Sequence, residues 1–220
     1  IPSQIVALAR LSEISSPELS IQSVLLSADY VPDVSADIIG RAWGAAVYGH
    51  YGMTETGLGG GVECGARDGY HLREADLLFE LVDPYSGAPV PDGGYGEIVF
   101  STLTRRGMPL IRYRTGDRAR FLPESCPCGT VLRRLGRVTN RLAEPLRLSG
   151  GCTLSVTQLD EALLKEPSVC RYSAELNTER GRDCLRLTVK TIHGTTDPDK
   201  LSGKGMGLSI VHRLGERFHW

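Results

Sequence analysis

Three short segments of different periodicity follow one another near the start of this chain and leave few folds open. SIQSVLLSADY carries the apolar run Val24, Leu25, Leu26, which reads as a buried strand. VPDVSADIIGRAW then places Val34, Ile38 and Trp43 at helical spacing, and AAVYGHYG resumes a strand-like run. Strand, helix and strand in that order predict parallel neighbours in an α/β layer, with a loop where the second strand ends. That loop is HYGMTETGLGGG. Ahead of it all, Ile5, Leu8, Ala9 and Leu11 form a helical stripe that ends near Ser15, Ser16 and Pro17.

From Tyr70 the pattern changes. DLLFELV and GEIVF read as antiparallel strands joined by the turn formers Asp83, Pro84, Gly87, Pro91, Asp92 and Gly93. Further strands are expected at Leu110 to Tyr113 and Ala119 to Leu122, separated by a turn at Thr115-Gly116-Asp117. A Cys126-Pro127-Cys128-Gly129 knuckle follows. Beyond Arg137 the pattern resets to a strand and turn in LRLSGG, a helix in TLSVTQLDEALLKEP, and a hairpin about Glu179 to Arg182. The last segment reads as a helix, with Asp197 as N-cap, Pro198 at the first helical position and apolar Leu201, Leu208, Val211 and Leu214. The fold class is therefore α/β plus α+β: an α/β layer and an antiparallel β subdomain over 1–136, then a small α+β domain over 137–220.

Composition narrows the partners. Hydrophobic residues make up 41% and charged residues 23%, which excludes general disorder. With 25 basic and 26 acidic side chains the formal net charge is −1, so no overall field draws the chain to nucleic acid or to an anionic membrane. There is no apolar run long enough to span a bilayer and no signal core after Ile1, so a cytoplasmic protein is expected. Six cysteines are too few for a disulfide scaffold and suit metal binding or plain burial; Cys152, Cys170 and Cys184 read as small buried hydrophobes.

The chemistry-bearing strings are Tyr51-Gly52-Met53-Thr54-Glu55, Tyr113-Arg114-Thr115-Gly116-Asp117 and Gly136-Arg137, in that order. Taken singly, Asp117 reads as a turn cap, and Thr54 and Glu55 as a loop or helix start. As a linked set they resemble the adenylate-forming enzymes, the superfamily of acyl-coenzyme A ligases and adenylation domains. The nearest resemblance is to the phenylacetate-coenzyme A ligases, through Glu63-Cys64 to His71 (ECxxxxGxH) and the Cys126 to Gly129 knuckle (CxCG). It covers most of residues 1 to 190. It implies ATP-dependent activation of a carboxylic acid to an acyl-adenylate, then thioester formation with coenzyme A, on the C-terminal part of the large AMP-binding domain followed by an incomplete lid.

Each matched residue then has an implied task. Thr54 hydrogen-bonds the adenylate phosphate, and Glu55 holds magnesium, a hard cation that takes oxygen ligands. Asp117 accepts the two ribose hydroxyls in charge-assisted bonds. Arg137 contacts ribose or phosphate, Tyr51, Gly52 and Met53 line the nucleotide, and Ser27-Ala28-Asp29 falls at the adenine-side loop. Thr139 stands where the family carries an acidic hinge residue. Pro198 to Lys204 matches the family's P-x-x-x-x-G-K, whose Lys neutralises developing charge, but the helix expected from Asp197 competes with that reading. GKGMGLSIVHRL resembles a kinase glycine box without its partner motifs and is set aside.

Cys64, His71, Cys126 and Cys128 make three thiolates and an imidazole, the ligand set of a closed structural zinc site; the alternative is two unrelated reduced cysteine pairs. The family's glycine-rich Ser/Thr phosphate loop has no counterpart string here, so the chain is expected to be a C-terminal portion that does not adenylate alone. A different class stays open: a zinc-stabilised nucleotide-binding module or pseudoenzyme. An α/β sheet cut at its edge also predicts pairing into a homodimer.

Overall fold

The computed structural model describes residues 2–15, 19–91, 93–138, 140–142, 146–148, 151, 153–179, 182–191 and 209–214. These residues form two compact units. One takes Ser23–Val31 and Ala46–Glu144; the other takes Pro2–Gln22, Pro32–Ala45 and the described residues within Pro145–Trp220. Two N-terminal helices thus group with C-terminal strands, because α1 (Pro2–Ser15) packs on α2 (Asp33–Trp43) and on a strand beyond residue 168.

The first unit is two sheets on one core. β1 (Ser23–Leu26) and β2 (Ala46–Tyr51) pair in parallel, as the strand–helix–strand pattern requires. β3 (Gly61–Glu63) and β4 (Tyr70–Leu72) extend that sheet in antiparallel sense. A second sheet is built from β5 (Leu77–Val82), β6 (Gly96–Thr102) and β7 (Tyr113–Ala119). β8 (Phe121–Leu122) and β9 (Arg134–Leu135) return to the first sheet, giving the order β1-β2-β3-β4-β9-β8. β10 (Asn140–Arg141) closes the second as β10-β7-β6-β5. β1 is an edge strand: the strand read from that apolar run forms, but only Leu26 of the run is buried while Leu25 is 59% exposed.

The core joins the sheets. Tyr51, Tyr70, Leu72 and Leu135 from the first sheet meet Leu77, Phe79, Leu81, Ile98, Phe100 and Ala119 from the second. Period-two alternation along β5 turns Leu77, Phe79 and Leu81 inward. Phe79, Phe100 and Tyr113 stack as tilted rings with centroids 6.1 and 5.4 Å apart. Burying Phe79 and Phe100 contributes roughly 2–3 kcal/mol each.

One expectation fails informatively here. The turn read at Thr115-Gly116-Asp117 is the interior of β7, which runs through it as a bulge: Glu97 pairs with Arg118 but Val99 pairs with Arg114. Side chains satisfy the displaced backbone. Thr115 Oγ1 donates to Ile98 O at 2.8 Å and accepts from Asp117 N at 3.0 Å, and Gly116 N donates to Glu97 Oε1 at 3.1 Å. Gly116 has φ +74°, where a side chain is strained.

In the second unit β11 (Leu146–Arg147) and β12 (Thr153–Leu154) form a short hairpin. α3 (Val156–Leu163) follows, capped by Ser155, whose hydroxyl accepts from Gln158 N. Buried Arg10 of α1 donates to Leu164 O at 2.6 Å and so satisfies the far end of α3. β13 (Val169–Glu179) and β14 (Arg182–Thr191) form the expected hairpin, with Glu179 opposite Arg182. The final helix expected from Asp197 is corrected: Ser209–Leu214 is a strand, β15, parallel to β14 from Cys184↔Ser209 to Val189↔Leu214. Three glycines at 203, 205 and 207 cost a helix about 1 kcal/mol each, and β-branched Ile210 and Val211 favour a strand. Asp197 and Lys204, like Thr139 and Cys152, lie outside the described residues.

The bulge carries a stability prediction. A Cβ at Gly116 meets no atom within 4 Å, so Gly116→Ala isolates backbone strain and should cost about 1–2 kcal/mol in chemical denaturation. An unchanged midpoint would show that the bulge does not hold Gly116 in the left-handed region.

Candidate functional site

The two motif strings meet. Tyr51 ends β2 of one sheet, Asp117 leaves the bulge of β7 in the other, and the Tyr51 hydroxyl donates to Asp117 Oδ2 at 3.0 Å. A second bond runs beside it: the Tyr113 hydroxyl donates to Glu55 Oε1 at 3.2 Å and is held above its usual pKa by that bond. Asp117 is buried, and its Oδ1 accepts from Arg141 Nε at 2.9 Å. Arg141 stands directly opposite Asp117 in the β7/β10 register, a partner that the sequence reading missed. Burial, then the Asp117 charge, push the Tyr51 phenol far up, so it remains a neutral donor.

The loop after Tyr51 is fixed by its own side chains. Met53 N donates to Thr56 Oγ1 at 3.1 Å, and that hydroxyl donates back to Met53 O at 2.8 Å, closing a short 3-10 turn at Thr54–Thr56. Arg73 Nη2 donates to Thr56 O at 2.8 Å. The turn leaves Thr54 exposed and Glu55 half-buried. Gly52 and Gly59 cradle the His50 ring: Gly59 has φ +106°, and a Cβ there would fall 1.9 Å from His50 Nε2. The other ring nitrogen, His50 Nδ1, is 2.7 Å from Ser27 Oγ. Ala28 beside it takes φ +75°, rare for a residue with a Cβ, and Asp29 Oδ1 accepts from Tyr30 N. The Ser27-Ala28-Asp29 loop is thus tied to the strand that ends in Tyr51.

Arg137 is joined to Glu63. Its Nε donates to Glu63 Oε1 at 2.8 Å, while Glu63 Oε2 accepts from Gly49 N at 2.6 Å. Glu63 entered the sequence reading only as a letter of a motif.

Next to Glu63 lies the cysteine cluster. The ligand atoms of Cys64, His71, Cys126 and Cys128 all lie within 4.8 Å of one another. Cys64 Sγ is 3.5 Å from Cys126 Sγ, and Cys128 Sγ is 3.5 Å from His71 Nε2. A tetrahedral zinc with ~2.3 Å Zn–S bonds needs ligand atoms ~3.8 Å apart, so the set fits a closed site. His71 Nδ1 is buried and has no hydrogen-bond partner, which leaves the cluster as the polar contact of that ring. A cleft of about 500 Å³ runs along Phe121–Cys126 and Gly129–Arg134 beside the knuckle; no residue of the Tyr51–Glu55 or Tyr113–Asp117 strings lines it. Of the other cysteines, Cys170 is buried, which raises its thiol pKa, and Cys184 is half-buried.

Solved structures share this fold. A 2-hydroxyisobutyryl-CoA ligase in the postadenylation state, in complex with an adenylate, superposes with TM-score 0.74 at 24% identity, over 86% of this chain and 42% of that one. An anthranilate CoA ligase in complex with anthranoyl-AMP gives 0.66 at 16%, over 91% and 40%. The fold is that of the adenylate-forming CoA ligases. No family model matches the chain. In sequence it is 36% identical over 181 residues to the phenylacetate-coenzyme A ligase of Thermus thermophilus, 80% of this chain and 40% of that protein. The Escherichia coli enzyme of the same name is 34% identical over 155 residues, 69% and 35%. Within the adenylate-forming superfamily the chain is phenylacetate-coenzyme A ligase-like, and it spans about two fifths of the length of these relatives.

Zinc in the cysteine cluster predicts about one metal ion per chain in protein purified without chelator. Cys128 is exposed, so Cys128→Ser perturbs packing little, yet it should release the metal and lower Tm by about 5 °C, the shift that ~2 kcal/mol produces at this size. Substoichiometric zinc together with an unchanged Tm in the variant rejects the site.

Proposed function

We propose that this chain supplies the nucleotide-recognition half of an ATP-dependent acyl- or aryl-coenzyme A ligase of the phenylacetate-coenzyme A ligase type. The observation that carries this reading is the pair of hydrogen bonds, Tyr51 to Asp117 and Tyr113 to Glu55, that brings the two motif strings together from separate sheets. In this reading the large AMP-binding domain contributes 1–136 and the lid 137–220.

Asp117 accepts the ribose hydroxyls; its carboxylate is already oriented by Tyr51, and charge assistance strengthens the bonds it accepts. Thr54, exposed at the head of its turn, bonds the α-phosphate, and Tyr51, Gly52 and Met53 form the floor beneath the nucleotide. Arg137 adds positive charge for phosphate or ribose. Glu55 is the one carboxylate of the loop, which suits magnesium, an ion bound through one or two carboxylates with the remaining positions on phosphates and water. Magnesium there would neutralise triphosphate charge. Cys64, His71, Cys126 and Cys128 hold a structural zinc.

The small-molecule partners are a carboxylic acid, then coenzyme A. The 220 residues contain no glycine-rich Ser/Thr string, so we assign this chain nucleotide binding and not, by itself, the adenylation step. No described helix is long and apolar enough to cross a membrane. The open edge of β1, with Leu25 exposed, is where a second copy would pair.

Calorimetric titration with AMP and with ATP plus magnesium tests the reading. AMP should bind, ATP should gain little over it, and Asp117→Ala should weaken AMP at least about tenfold, the loss of one charge-assisted bond. Unchanged affinity in that variant rejects the ribose assignment, and absence of binding by the wild-type chain rejects the nucleotide half-site.

A further inference from the structure

Glu63 is a carboxylate buried where burial is expensive, and its two oxygens are used for different purposes. Its side chain is 3% exposed. Oε2 accepts from the backbone N–H of Gly49 at 2.6 Å, on the neighbouring strand β2 two residues before Tyr51. Oε1 accepts from Arg137 Nε at 2.8 Å, and the Arg137 side chain is itself 31% exposed. A buried charge without partners costs several kcal/mol, so the pair holds together only while both members are present.

A simple sheet bond explains one oxygen and not the other. Gly49 N needs an acceptor, and an uncharged glutamine oxygen at position 63 would provide it as well as a carboxylate does. Holding Arg137 at Nε does something different: it restrains the guanidinium of a side chain that is only partly buried, which a flexible cation cannot do for itself.

We propose that Glu63 is a positioning residue for Arg137, orienting the guanidinium toward the nucleotide while Gly49 N anchors the carboxylate to the strand that ends in Tyr51. This rests on the reading that Arg137 contacts the bound nucleotide. Glu63 does not touch the ligand and acts through Arg137 alone. Because Glu63 immediately precedes Cys64, the same short strand that delivers a ligand to the cysteine cluster also sets the aim of Arg137.

The test is AMP titration of the 220-residue chain as wild type, Glu63→Gln, Glu63→Asp, Arg137→Met, the Glu63→Gln/Arg137→Met double variant and Asp117→Ala, with the Tm of each. Glu63→Gln removes the charge at constant size and should raise the AMP Kd about tenfold, as should Arg137→Met. The double variant should lose no more than either single, since one interaction is being removed twice. Glu63→Asp keeps the charge and should recover AMP affinity to within about threefold of wild type. Its Tm should stay as low as that of Glu63→Gln: the partly exposed Arg137 side chain can follow the shortened carboxylate but the backbone N–H of Gly49 cannot, whereas Gln keeps the Gly49 acceptor and loses the ion pair. A structural role alone would make affinity follow Tm across the two variants. Additive losses, or AMP affinity in Glu63→Gln equal to wild type, overturn the proposal. Weakening by Asp117→Ala with no effect of Arg137→Met overturns it while leaving the ribose site standing. No AMP binding by wild type removes both. Should Glu63→Gln fail to fold, Glu63→Asp against Arg137→Met carries the comparison: loss of affinity in Arg137→Met with retention in Glu63→Asp supports the proposal, and its absence overturns it.

Discussion

Asp117 is an ionisable group that the fold buries, and much of the first unit is arranged to make that tolerable. A carboxylate withdrawn from water needs donors, and it receives the Tyr51 hydroxyl from the opposing sheet and Arg141 from the facing strand. Its position comes from the β7 bulge, whose extra residues are satisfied by Thr115 and by Glu97. Glu97 is buried in turn and is bonded by Arg114 of the same motif. Thus Tyr113, Arg114, Thr115, Gly116 and Asp117 all have work inside the fold before any ligand arrives. Two sheets that share an apolar core are thereby also joined by polar bonds, and such bonds fix register in a way that apolar contact does not.

A second carboxylate repeats the logic at Gly49, two residues before Tyr51 on β2. Glu63 faces Gly49 and Arg137, and the next residue enters the cysteine cluster. β3 is only three residues long and short strands hold their ends poorly, so a metal tie at Cys64 would stiffen the strand that carries Glu63. The cluster and the loop after Tyr51 are then mechanically related without sharing a ligand.

The strand–helix–strand opening, the antiparallel meander and the C-terminal hairpin were legible because periodicity and turn residues report local geometry. The cysteine cluster was legible from ligand chemistry, and the structure brings its four side chains together. The bulge was not: Thr-Gly-Asp has turn composition, and only pairing with β6 shows that the strand continues through it. Ser209–Leu214 misled for the opposite reason, since apolar spacing over a short span fits either period and the partner strand decides. Arg141 and Glu63 were missed because cross-strand register places them, and a single sequence carries no signal of which residues face each other.

The two carboxylates and the Glu55 loop also bear on how a nucleotide would be met. Glu55, Glu63 and Asp117 each already carry a hydrogen bond from a tyrosine or an arginine. Ordering those side chains costs entropy, and here that cost is met on folding, when the core and the bulge form. Ligand binding then does not have to supply it, which favours affinity through preorganisation. Asp117 sits on a glycine-bearing bulge and Glu63 at the end of β3, and in both places the sheet anchors the carboxylate before any ligand arrives. Under the proposed function, nucleotide recognition would follow from how the two sheets satisfy their own buried charges.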